Sequence, residues 1–127
     1  MQTEPVEGGA DAALAVLIDE LGAVVDELVL ARDRARTLSE QRAEGRDWYD
    51  IVSSEERPLI VEQISSAMAS LATAGSQWRR EQAAALATEN VSINRIAALY
   101  GVTRQRVSAL LRGRIVDANQ QDADSTE

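Results

Sequence analysis

The feature that most constrains this chain is a long stretch without proline in which apolar residues recur at alternating steps of three and four. Leu14, Leu17, Leu21, Val24, Leu28, Ala31, Ala35 and Leu38 keep that rule between Pro5 and Pro58, the two prolines of the 127 residues. Such a period marks one face of a helix and, sustained over several heptads, a coiled-coil seam. Asp11 is a suitable N-cap, and Gly45 a suitable stop, for a helix reaching about Ala43. A helix of about 33 residues, rising ~1.5 Å per residue, would be about 50 Å long. That is long for a small monomer.

Ile18 and Val25 widen the seam in its first half beyond what one neighbouring helix can cover. The expectation is therefore a dimer or higher oligomer built on Leu14, Leu17, Ile18, Leu21, Val24, Val25 and Leu28. In a parallel pair Glu27 would face Arg32 of the other copy, a g-to-e′ pairing of opposite charges. The alanine-rich second half is shallow enough to pack equally well on a later helix of the same chain. A foreign protein helix is an alternative occupant of the broad face.

The rest of the chain is also helical in character. Alanine occurs 21 times, the only aromatic residues are Trp48, Tyr49, Trp78 and Tyr100, and no Asn-Gly or Asp-Gly hairpin signal is present. The predicted fold class is all-α. After Gly45, residues 47–50 begin a short connection, with Trp48 and Tyr49 as its expected core anchors. Ser54, Glu55, Glu56 and Pro58 form a helix-start signature. Ile60, Ile64, Ala67, Leu71, Ala74 and Trp78 then step by four and three without a slip at Gly75, which predicts one helix from Glu56 to Glu89, with Gly75 as the place for a bend. Residues 1–10 and 117–127 read as tails, 11–74 as an oligomerisation region and 75–116 as a second domain.

Composition narrows the chemistry. All 13 basic residues are arginine; lysine, histidine, cysteine and phenylalanine are absent. Zinc sites of Cys and His, Ser-His and Cys nucleophiles, Schiff-base lysines and disulfides are therefore excluded. The acids Asp47, Asp50, Glu55 and Glu56 cluster as helix starts do, without a second ligand-rich segment to make a pocket. No catalytic residue, metal or cofactor is expected. With an acidic N-terminus and no long apolar run, a cytoplasmic protein without a membrane partner is expected.

The net charge of −8 hides an asymmetry. Residues 1–30 carry seven acids and no base, whereas residues 90–116 carry five arginines and no acid. Within that cationic block lies Val91-Ser92-Ile93-Asn94-Arg95-Ile96-Ala97-Ala98-Leu99-Tyr100-Gly101-Val102-Thr103-Arg104-Gln105-Arg106-Val107-Ser108-Ala109-Leu110-Leu111-Arg112. It resembles the bihelical core of the helix-turn-helix family. Asn90 can take the left-handed conformation at the preceding helix end, Ser92 caps a helix ending at Tyr100, Gly101 supplies the turn and Thr103 caps the next helix. Ala97 is small where the two helices cross. Ile96, Tyr100, Val102, Val107 and Leu110 would lock them together.

The run 101–108 is also similar to the reading segment of sigma factor region four and of small actinobacterial or phage-like regulators. Ser108 departs from the long polar side chain that sigma factors often carry there, so promoter recognition is not implied. The resemblance implies double-stranded DNA as partner. It places Arg104, Gln105, Ser108 and Ala109 at base edges, where Arg on guanine and Gln on adenine are the favoured pairs. Arg95, Thr103, Arg106, Arg112 and Arg114 fall to the phosphates, and residues 77–89 become a third helix on which Arg79 and Arg80 extend the cationic face.

Overall fold

Residues 8–113 are described by a computed structural model. Most of both expected tails, and Arg114, lie outside the described residues. The chain is all-helical: α1 Gly9–Ala43, α2 Trp48–Ser53, α3 Ile60–Thr88, α4 Ile93–Tyr100, and a fifth helix, α5, over 104–113. No strand occurs among the described residues, and no helix among them is long and apolar enough to cross a membrane. Packing divides the chain into two compact units, Ile18–Thr73 and the described parts of Met1–Leu17 with Ala74–Glu127.

In the unit Ile18–Thr73, α1 and the first half of α3 run antiparallel. Gln63 Nε2 donates to Glu27 at 2.7 Å, whereas Arg34, two turns further along α1, donates to Gln63 Oε1 at 2.9 Å and to the Glu56 carbonyl at 2.8 Å. Only one row of the α1 seam enters this contact. Val24 and Ala31 are buried and Leu38 is half-buried, but Leu21, Leu28 and Ala35 are exposed, as are Ile18 and Val25. A seam spaced three and four has two rows, and within this unit α3 covers one of them. Glu27, placed from sequence across a dimer, is engaged by Gln63 of its own chain.

The stretch from the start of α1 to α3 differs from its sequence reading in four ways. Asp11 lies in the first turn of α1, which begins at Gly9, and is not its N-cap. The connection contains a helix, α2, because the Asp47 side chain accepts the Asp50 amide at 2.9 Å and caps it. Ser54 is the C-cap of α2 and not a start signal. Trp48 and Tyr49 are not core anchors; they are 52% and 84% exposed, and Ile51 is the fully buried side chain of this element.

α3 begins at Ile60, later than Glu56, since the residue before Pro58 is disfavoured in helical backbone. Glu62 Oε1 takes the Leu59 amide at 2.9 Å and Glu55 Oε2 takes the Ile60 amide at 3.0 Å, so side-chain carboxylates satisfy this helix start. α3 then continues through Gly75 to Thr88.

Candidate nucleic-acid interface

The end of α3, α4 and α5 are joined by punctuation that the residues dictate. Asn90 takes φ 68°, and the Val91 amide donates to the Leu86 carbonyl at 3.0 Å while the Asn90 amide donates to Ala87. Gly101 repeats the device at φ 68°, with Val102 donating to Ala97 and Gly101 to Ala98. Both are Schellman ends, in which a left-handed residue turns the chain back over the last carbonyls. Ser92 Oγ accepts the Arg95 amide and Thr103 Oγ1 accepts the Arg106 amide, each at 3.1 Å, so α4 and α5 both start on a hydroxyl cap.

Ile96, Ala97 and Val107 are buried together, and Leu86, Val91, Ile93, Tyr100, Val102 and Leu111 pack against them. Ala97 is small at this contact, as its spacing from Gly101 suggests. Leu110, expected in the lock, is half-buried and borders an open concavity; Leu111 takes its place, four residues after Val107 and hence on the same helix face. The Tyr100 hydroxyl donates to Gln82 Oε1 at 2.7 Å, and the Arg79 guanidinium lies over the Tyr100 ring at 4.2 Å from its centroid. Burial raises the Tyr100 pKa above the ordinary value, with the Arg79 cation opposing it.

This lock fixes which side chains of α5 face outwards. Arg104, Gln105 and Ser108 line one shallow concavity of about 400 Å³. Ala109 does not join them. It borders a second depression with Trp78, Arg80 and Arg106. Arg106 meets Arg79 and Thr103 in a third. Arg95 and Arg112 are exposed elsewhere on the same helix pair. Arg79 thus joins the cationic surface beside the start of α5, whereas Arg80 is half-buried and donates to Gln77 at 2.7 Å.

Pairing separates these arginines from most of the others, though Arg42 lies over the Trp48 ring and donates to the Arg46 carbonyl. Arg32 and Arg36 meet Asp33, Arg34 meets Glu55, Arg46 meets Asp50 at 2.7 Å and Arg57 meets Glu62. Among the described residues no carboxylate pairs with Arg95, Arg104, Arg106 or Arg112. Comparison with models of known families, with curated proteins and with solved structures finds no match. The acids between α1 and α3 are engaged differently: Asp47 caps α2, Asp50 binds Arg46, and Glu55 binds Arg34 and the start of α3. Among the described residues no group of three or more His, Cys, Asp or Glu is arranged to hold a metal.

Proposed function

We propose that this chain is a sequence-specific double-stranded DNA-binding protein, a transcriptional regulator acting as a dimer through a C-terminal helix-turn-helix formed by α4 and α5. One observation carries the reading. The described arginines of the cationic block, Arg95, Arg104, Arg106 and Arg112, are exposed and free of carboxylate partners on a helix pair with a fixed turn, whereas Arg32, Arg36 and Arg57 elsewhere in the chain are exposed and ion-paired.

In this reading α5 enters the major groove by its first turn. Arg104 and Gln105 contact base edges, with Ser108 one turn on. Arg95, Arg106 and Arg112, with Arg114, hold phosphates. The Thr103 hydroxyl, which accepts the Arg106 amide, keeps its own proton for a phosphate oxygen. The α5 N-terminus adds a positive dipole end. A dimer presents two reading helices, so the site is a repeat of half-sites one helical turn, ~34 Å, apart or a multiple of it.

Selection of bound sequences from random duplex DNA at two salt concentrations tests this reading. An enriched repeat and a steep loss of affinity with salt are expected; no enrichment and no salt dependence would sink it. Arg104→Ala should relax the enriched motif, whereas Arg112→Ala should weaken binding to all sequences and lower the salt slope by about one. The alternative is a helical protein-interaction adaptor, favoured by the exposed Trp48 and Tyr49 and by the aliphatic face of α1.

A further inference from the structure

We infer that the α1–α3 hairpin of Ile18–Thr73 is half of a four-helix bundle, and that its other half is the same hairpin of a second copy. The inference rests on the dimeric part of the reading above and not on its DNA-binding part.

The argument starts from helical rotation. Val24 and Ala67 are the buried residues at the centre of the hairpin and border a common depression. At roughly 100° per residue, Leu21, Val25 and Ile18 lie about 60°, 100° and 120° round α1 from Val24. On α3, Ile64, Met68 and Val61 lie at the same three angles and in the same sense from Ala67. Antiparallel neighbours are related by a two-fold axis between them, which maps each flank onto the same side of the hairpin. Both triplets therefore form one surface spanning two helices.

That surface is apolar and unpartnered. Its six side chains are between 38% and 72% exposed. Together they offer roughly 500 Å² per copy, so a face-to-face pair removes about 1,000 Å², the lower bound of a specific interface. Hairpin-on-hairpin packing is the geometry of a four-helix bundle.

Charge selects the occupant. By the same rotation Asp19, Asp26 and Glu62 lie on the far side of their helices, whereas Arg32 and Arg36, at about 80° and 120°, border the surface at its far end, where both meet Asp33. A face without acids meets its own copy without bringing carboxylates together, in a chain whose net charge of −8 would otherwise oppose association.

Sedimentation of the full chain over a concentration series, with helix content followed by circular dichroism, tests the inference. The wild type should sediment as two copies. Val25→Glu and, separately, Met68→Glu should raise the dissociation constant at least tenfold with helix content kept. Because the chain has no cysteine, Val25→Cys should give a disulfide-linked dimer on oxidation, and Asp26→Cys on the far side should not. A monomeric wild type, a larger assembly, or Val25→Glu and Met68→Glu variants that still pair as tightly would overturn the inference. Arg104→Ala should leave the stoichiometry at two, and a wild type that pairs but does not bind DNA counts against the DNA reading alone.

Discussion

The two units solve the problem of burying apolar side chains in opposite ways. Around α4 and α5, Ile96 and Val107 are completely enclosed and a ring of half-buried neighbours closes over them. In Ile18–Thr73 large aliphatics are about as frequent, but Ile51 and Val24 are the buried ones and most others face outwards. The first arrangement is complete within one chain. The second leaves its gain from apolar burial unrealised until something covers it.

The largest effect expected from this contrast falls on the enclosed cluster. Ile96→Ala removes a fully buried side chain where neighbours converge from α3, α4 and α5, and should cost about 2–5 kcal/mol. Val25→Ala in a dilute sample should cost no more than about 0.5 kcal/mol, because that side chain is already exposed. Urea melts at two protein concentrations check both values. A Val25→Ala loss as large as that of Ile96→Ala at high dilution would break the contrast, since the open face would then be a core of the single chain.

The turn between α4 and α5 should give the next largest effect. A Cβ at Gly101 would meet nothing within 4 Å, so the penalty of Gly101→Ala is confined to its left-handed backbone at φ 68°. About 1–2 kcal/mol is expected. Gly101→Asn, which tolerates this conformation better, should recover part of it. Equal losses for the two variants would show that something other than backbone conformation sets the cost.

This contrast also explains what the sequence made legible. From Asn90 to Val107 local chemistry decides the structure: left-handed residues, hydroxyl caps and a small crossing residue act within a few positions, and they appear where their types predict. The all-helical class and the end of α1 follow from the same kind of signal. Less legible was which row of the α1 seam packs, because two rows with equal spacing are distinguished only by where α3 lies. Trp48 and Tyr49 were misplaced for a related reason. Bulk suggested burial, but Asp47 capping turns α2 so that Ile51 points inwards and the aromatics outwards. The Asp47-x-x-Asp50 spacing could have revealed that helix. The Arg79 stacking on Tyr100 depends on packing between α3 and α4, which no local pattern encodes.

The smallest effects should separate the units by pH. Burial holds the folded Tyr100 pKa above 10.0, so an unfolded tyrosine ionises first as pH rises. The stability this contributes is intact below 10.0 and is lost as pH climbs through the raised folded value. Asp50 behaves in the reverse sense. The hydrogen bond from Arg46, aided by its charge, holds the carboxyl below 3.8, so its contribution is present above that value and is lost as pH falls through the lower folded one. Both partners of that pair are solvent-accessible, which keeps the acid-side effect slight. Urea midpoints followed across both limbs should therefore lose their alkaline slope in Tyr100→Phe and part of their acid slope in Arg46→Gln. If Arg46→Gln altered the alkaline limb, or Tyr100→Phe the acid one, the two ionisations would not belong to separate units.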